Sequence, residues 1–522
     1  MAKSYIISAG HPLTADAARH ALDAGGNAFD AALSGWLAAC LAEPVLTSPG
    51  GSGFAMVAPA SGRPRLYDFF SQTPLKANPD GHAYPLEADF GSTTQVFHLG
   101  AGTVATPGCV AGILQIQETH GRLPLEECAV PALELSRNGL IITDHAATLL
   151  KVVEDLYLAT PASCQLFRSK REETGCLREG ERFLNHDFEC FIDALIAEGS
   201  RWFYEGDIGR IISDYCQEHE GHLTREDFTR YRVEIREALE IRRNGSTVWL
   251  NPPPSMGGTL IAIGLLSRGE AGVHGFPLQG RAAWLDWAEA LRLMSLMRSP
   301  EGSRQLTAAD AALLERAFHL DSGVAGAAAK LFPHALRQIQ SQGTTHISIM
   351  DGDGNEIAMT TSNGAGSAII PEGTGFMLNN MLGEDDLQPE GLGTWQTDTR
   401  LSSMMAPTLA RLADGTRIAT GSGGSNRIRS TILQILRHLI DHRLPLSAAV
   451  EAPRLHWEDG ELHAETAAAE SLQDLEQPLP WPLVEHSVPN LFFGGAHSVS
   501  WSDKSGFSGI GDPRRGGISI GK

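Results

Sequence analysis

Apolar helical stretches, glycine-rich loops and short alternating strands succeed one another along this chain without internal repeat, which predicts an α/β fold of mixed helices and strands (α+β). Two further observations agree. Gly343 to Thr361 reads as a hairpin, with Ile347 and Ile349 alternating with polar neighbours on one side and Ile357 and Met359 on the other. Asp351 to Asn355, between them, is all Asp, Gly and Asn, residues that tolerate the dihedrals of a tight turn. At 522 residues, 42% hydrophobic and 20% charged, the chain can bury a large core, as about three domains or one large α/β unit.

Taken in order, residues 5 to 8 form a strand, and Thr14 caps a helix that runs to Gly25-Gly26, glycines suited to its C-terminal end. Ala28 to Ala42 is a second helix, rich in alanine on most faces and so expected to be buried. A tight glycine loop, Ser48 to Gly53, feeds the strand Phe54 to Val57. Ala105-Thr106-Pro107-Gly108 is a turn before a helix from Val110 to about Thr119, and Ala132 to Arg137 belongs to another helix. The rigid loop Asn251 to Gly258 precedes an apolar helix, Thr259 to Leu266, and a linker falls near 321–343. After the hairpin come three loops, Ser362 to Ser367, Leu401 to Met404 and Gly421 to Arg427. The last precedes a helix, Ile428 to His438, whose N-terminal N–H groups favour negative charge.

Composition excludes several functions. With 62 acidic against 41 basic residues the formal charge is −21, which argues against nucleic acid and for a small molecule or peptide. Seven scattered cysteines, all before Thr344, are no disulfide framework and favour a reducing compartment. The N-terminal segment is too poor in apolar residues for a signal peptide, and the longest apolar stretch, Ala31 to Leu41, stops at Glu43-Pro44. A cytoplasmic protein with no membrane span is the expectation.

Cys216, His219 and His222 have metal-like spacing but lack the HExxH order, and a helix cap (Thr224 with Asp227) follows at once, so a solvated loop is expected and no metal site. Gly100 to Ala105 imitates a dinucleotide fingerprint but meets Pro107 where a helix should start, and no G-x-S-x-G elbow occurs. No cofactor is expected.

The chemistry lies at Thr344. It opens the hairpin after Gly343 and a polar run, Gln338 to Gln342. Two threonines there can be ordinary β-branched residues at a strand start. A cut before Thr344, however, would make its hydroxyl a nucleophile and its new α-amine the adjacent base. Such an amine has a pKa of about 7.7–8.0, so modest desolvation leaves it neutral near pH 7. His346 then reads as a structural strand histidine.

The chain resembles the γ-glutamyltranspeptidase family of N-terminal-nucleophile hydrolases over nearly its whole length. Before the cut the resemblance rests on Gly25 to Ala32, Pro49 to Phe54, Thr106 to Gly112 and Pro252 to Gly258. After it come Thr344-Thr345-His346, Leu378-Asn379-Asn380, Leu401 to Met404 and Gly421 to Ser425. The resemblance implies a four-layer αββα sandwich made as a proenzyme. Self-cleavage at Gly343–Thr344 would give a large fragment 1–343 and a small catalytic one 344–522, which together form a heterodimer. Thr344 then attacks a γ-glutamyl amide, and water or an amine resolves the acyl-enzyme. The family's second threonine, which hydrogen-bonds the nucleophile, matches Ser362, with Thr360 as the alternative. Asn363 matches its substrate-binding asparagine after a two-residue deletion. Ser402 and Ser403 match the pair that holds the substrate carboxylate, and Glu384 or Asp385 the acid that holds its amine. The oxyanion glycines map to Gly423-Gly424 or Gly424-Ser425.

Two departures alter the recognition half. Phe70 stands where the family has the arginine that clamps the glutamyl carboxylate, a large chemical change. Met381 replaces its glutamine or glutamate. Arg400 or Arg427 could restore the lost charge. The implied activity is therefore self-cleavage and acyl transfer with altered γ-glutamyl specificity. Alternatives are a cephalosporin-type acylase or poly-γ-glutamate hydrolase on the same scaffold, or an uncut, non-catalytic binding relative. A binding protein would need no oxyanion donors.

Overall fold

The computed structural model describes residues 4–89, 94–266, 281–297, 343–384, 387, 393–458, 460–473, 479–486 and 491–522. The expected linker near 321–343, the polar run before Gly343, and Asp385 lie outside them, apart from Gly343 itself.

Two antiparallel sheets form the centre. The larger has seven strands in the order Ile518–Gly521, Tyr5–Ala9, Thr344–Asp351, Glu356–Ser362, Ser52–Ala58, Arg65–Phe69, Glu234–Glu237. The smaller has six, in the order Gly506–Ile510, Ser498–Ser502, Arg417–Thr420, Thr408–Arg411, Ser246–Leu250, Leu239–Arg243. With every neighbouring pair antiparallel, α+β is the apt name.

Strand alternation assigns the layers. Ile7, Ala55, Val57, Ile347, Ile349, Ile357 and Met359 face one core, shared with Leu33 and Trp36 of helix Ala28–Ala42 and Ile113 of helix Cys109–His120. Ile6, Phe54, Met56, Met350 and Ala358, on the opposite face, meet Val248, Leu409, Ile418 and Val499 of the smaller sheet. Leu260 and Ile263 of helix Met256–Leu266 and Ile432 and Leu436 of helix Arg427–Ile440 join this second core. The order is helix, sheet, sheet, helix, the expected αββα sandwich. The hairpin is thus buried on both faces.

Long-range capping sets boundaries that local signals misplace. The first helix, Pro12–Asp23, is capped by His11, whose Nδ1 accepts from Leu13 N at 3.1 Å. Thr14 does not cap it; it lies within the helix and donates to Glu43 Oε2 at 2.8 Å. The apolar helix starts at Met256, not Thr259, because the Ser403 carbonyl accepts from the backbone N–H groups of Met256 and Gly257 at 3.1 and 2.9 Å. Cys216 is buried at the end of helix Asp207–Glu218 and not in a solvated loop, and burial pushes its thiol up to about 12.

Asp351 joins the hairpin to the helical layer. Its Oδ1 accepts from Asp353 N and Asn355 N, both at 3.0 Å, which closes the turn. Its Oδ2 accepts from Asn355 Nδ2 at 2.8 Å and from Ala28 N, in the first turn of helix Ala28–Ala42, at 2.9 Å. Asp351→Ala strips several buried donors of their acceptor. It should lower stability by about 2–4 kcal/mol, read as a fall in the melting temperature of the intact chain.

Candidate active site

The hairpin register places Thr344 opposite Ser362, and His346 opposite Thr360. Thr344 Oγ1 lies 3.3 Å from Ser362 Oγ. The Ser362 hydroxyl donates to the carbonyl of Gly343 and accepts from Gly364 N at 3.1 Å. One hydroxyl, with one proton and two lone pairs, thus touches the prospective nucleophile and the carbonyl it would attack. Thr360 is excluded as the alternative, because its hydroxyl is 2.8 Å from His346 Nδ1. His346 is fully buried and also bonded to Ser348 Oγ at 2.8 Å. Burial, with His497 beside it, holds its pKa well below the ordinary histidine value, so it is a neutral strut.

Gly343 is tightly enclosed. A Cβ on residue 343 would collide with the carbonyl oxygen of Gly364 and lie 2.9 Å from that of Val45. A Cβ on Gly423 would collide with the Thr344 carbonyl oxygen, so the glycine loop presses against the start of strand Thr344–Asp351. The next residue, Thr345, donates to the buried Glu43 carboxyl at 2.8 Å, and desolvation raises the pKa of Glu43. Sequence patterns gave no hint of that anchor, since Glu43 lies 302 positions away.

A pocket opens at Thr344, Ser362 and Gly364. Glu384, Ser403 and Ser425 supply its remaining polar lining, and Phe70, Met381, Leu387, Met404, Met405 and Ile428 its apolar wall. Among the described residues no cationic side chain lines it. Phe70 is buried and stacked on Phe54 with centroids 5.2 Å apart. Glu384 Oε1 and Asn380 Oδ1 converge on Ala365 N at 2.9 and 2.8 Å, fixing the loop after Ser362. The apolar contribution of Met404, Met405 and Ile428 went unread, although Met404 and Ile428 sit in segments already singled out.

Several expected site residues point elsewhere. Arg400 does not restore the missing charge: its guanidinium bonds the carbonyls of Phe70 and Arg232 and the Tyr231 hydroxyl at 2.7 Å, over whose ring it lies. It braces the backbone behind Phe70 and does not line the pocket. Arg427 bonds the Phe492 carbonyl at 2.9 Å and lies over that ring, again outside the pocket lining. Ser402 donates to the Pro254 carbonyl at 2.7 Å. Asn363 accepts from Ser48 Oγ at 3.0 Å, and neither residue lines the pocket. Of the loop Gly423-Gly424-Ser425, the first residue underlies Thr344 and the last reaches the pocket wall.

An αββα sandwich with a threonine opening a central strand, a hydroxyl partner across the hairpin and a glycine loop against it is the architecture of the N-terminal-nucleophile hydrolases. A family model described as gamma-glutamyltranspeptidase matches residues 14–521. The acylase ACY 1 proenzyme of Pseudomonas sp. (strain V22) is 30% identical over 486 residues, covering 90% of this chain and 85% of that protein. The glutathione hydrolase proenzyme of Escherichia coli (strain K12) is 28% identical over 469 residues, covering 85% and 80%. The solved cephalosporin acylase from Bacillus halodurans shares the fold, with a TM-score of 0.80 at 22% identity over 99% of this chain and 96% of that one. The chain belongs to the γ-glutamyltranspeptidase family and is a γ-glutamyltransferase-like enzyme.

Gly423→Ala tests the packing of the loop on the strand. The added methyl has backbone, not a flexible side chain, in its way, so self-cleavage and turnover should fall at least about 100-fold, on the scale of losing an oxyanion donor. Intact mass and a turnover assay on the folded protein check this.

Proposed function

We propose that the chain matures by cutting itself at Gly343–Thr344 and then works as an amidase of this family whose acyl pocket has turned apolar. In the precursor, Thr344 Oγ attacks the Gly343 carbonyl carbon, the Gly343–Thr344 C–N bond breaks, and water hydrolyses the resulting ester. That frees the Thr344 amine and gives fragments 1–343 and 344–522, held together as a heterodimer. The double contact of Ser362, to the nucleophile and to the scissile carbonyl, supports this first step. In the mature enzyme the amine takes the hydroxyl proton as Thr344 attacks an external amide, and the acyl-enzyme passes to water or an amine. Backbone N–H groups of Gly423, Gly424 and Ser425 would hold the oxyanion, and Glu384 and Ser403 would orient the donor.

The acyl preference rests on one observation: Phe70 and five other apolar residues stand around the pocket, while Arg400 is committed to backbone carbonyls. A charge-assisted bond is worth about 1.5–3 kcal/mol, so losing the carboxylate clamp should cost a γ-glutamyl donor roughly 10- to 100-fold. The acylases among the relatives favour the same reading. The unpaired cysteines support a reducing, cytoplasmic setting, and no helix among the described residues is long and apolar enough to cross a membrane.

Intact mass of the purified protein beside Thr344→Ala tests the maturation. Fragments ending at Gly343 and beginning at Thr344, absent in the variant, are expected, and an uncut chain in both would overturn it. For specificity, a linear uncharged acyl p-nitroanilide should exceed the γ-glutamyl and glutaryl analogues in kcat/KM by about 10-fold or more. Phe70→Arg should narrow that gap, and an unchanged ratio would count against the pocket as the source of selectivity.

A further inference from the structure

Arg514 and Arg515 are consecutive and both buried, with different surroundings. Arg514 bonds Glu465 through Nε and Nη2 at 2.5 and 2.6 Å, and its Nη1 is 3.4 Å from Asp512 Oδ1. Arg454 takes the other oxygen of Asp512, which also accepts from Ala496 N at 2.9 Å. Both neighbouring carboxylates are therefore engaged. Arg515 is only 4% exposed. Among the described residues its Nε and Nη1 have no hydrogen-bond partner, and Nη2 reaches the Leu491 carbonyl at 3.5 Å.

Its position is specific. A Cβ built on Gly424 would lie 3.2 Å from Arg515 Nη2. One built on Gly423 would lie 3.5 Å from Arg515 Nη1, at the point where it also strikes the Thr344 carbonyl oxygen. Arg515 is thus packed against both glycines of the loop, on the side of Gly423 that faces the Thr344 carbonyl oxygen. Burial and then the nearby Arg427 lower the Arg515 pKa to about 9, which leaves it protonated at neutral pH. A buried charge without a matching partner is costly in the resting protein, and the cost is rational where a negative charge appears transiently nearby.

We propose that Arg515 is a positioning residue that holds a fixed positive charge against the glycine loop for the oxyanion formed when Thr344 attacks. The inference rests on the reading of Thr344 as nucleophile and of Gly423–Ser425 as the oxyanion loop. In that step the Thr344 Oγ–carbon bond forms, the carbonyl electron pair moves to oxygen, and the amine of Thr344 takes the hydroxyl proton. Collapse breaks the carbon–nitrogen bond and returns that proton to the leaving amine. Arg515 exchanges no proton. Its field, and its support of the loop N–H groups, act on charge that exists only during the reaction, so binding of the neutral substrate is not affected.

The test compares Arg515→Met and Arg515→Lys with the wild type, in full-length matured protein, on whichever p-nitroanilide the wild type turns over. Arg515→Met should lower kcat on the order of 10- to 100-fold with KM within about twofold, and slow self-cleavage, while the melting temperature stays level or rises. Arg515→Lys should recover most of kcat. An Arg515→Met enzyme with wild-type kcat, or one that only melts earlier, would overturn the proposal. Should Arg515→Met not fold, Arg515→Gln takes its place, and Lys no better than Gln would also overturn it. A wild type that stays uncut and inert would remove the underlying reading and this inference together, whereas a wild type that matures isolates the effect of Arg515.

Discussion

Thr344 and Ser362 face each other across the central pair of the larger sheet, and nearly everything else in the site follows from that register. Side chains alternate along a strand, so a slip of one residue would turn Thr344 to the opposite face. The slip is opposed from both sides, because each face of the hairpin is packed into a different core. Asp351 fixes the far end by closing the turn and holding the start of helix Ala28–Ala42. Thr345, bonded to Glu43, fixes the near end. A chain end freshly made by cleavage would ordinarily fray; here its second residue is already anchored in the interior.

On the proposed specificity, the pocket would embody a change of substrate chemistry made without a change of scaffold. Phe70 stands where the family resemblance puts the clamp, and Tyr231 and Arg400 secure its carbonyl. The guanidinium nearest that wall is used to stiffen the backbone. What remains is a polar end, at Thr344, Ser362, Ser403 and Glu384, and an apolar wall of methionines, Leu387, Ile428 and Phe70. Methionine side chains adapt to irregular shapes, which suits acyl chains of varied outline.

Much of this was legible in the residues. The period-2 pattern of Ile347, Ile349, Ile357 and Met359 predicts the hairpin, while Ser362 as the partner of Thr344 comes from the family resemblance, with Thr360 an alternative that only the register excludes. The absence of the arginine was visible at Phe70. What could not be read was direction. Ser402, Asn363 and Arg400 match motif positions, yet their side chains bond Pro254, Ser48 and the Phe70 backbone. Those partners are chosen by tertiary packing, which spacing does not encode. The start of helix Met256–Leu266 was misplaced for the same reason, its cap being a carbonyl at Ser403. Asp512, Arg514 and Arg515 carry no motif that singles them out, and only the fold reveals that they are buried.

The tightest fit around the nucleophile belongs to residue 343, where the Gly364 carbonyl leaves no room for any side chain. On the proposed maturation that residue reacts once in the lifetime of each molecule and then becomes a chain end. Gly423, crowded by the Thr344 carbonyl, is in place at every turnover. Natural selection therefore acts on the two glycines through different events: at 343 on whether a molecule is ever born active, at 423 on how fast it works afterwards. Variation at 343 would show itself as a smaller active fraction of ordinary enzyme, whereas variation at 423 would show itself as a full complement of slow enzyme.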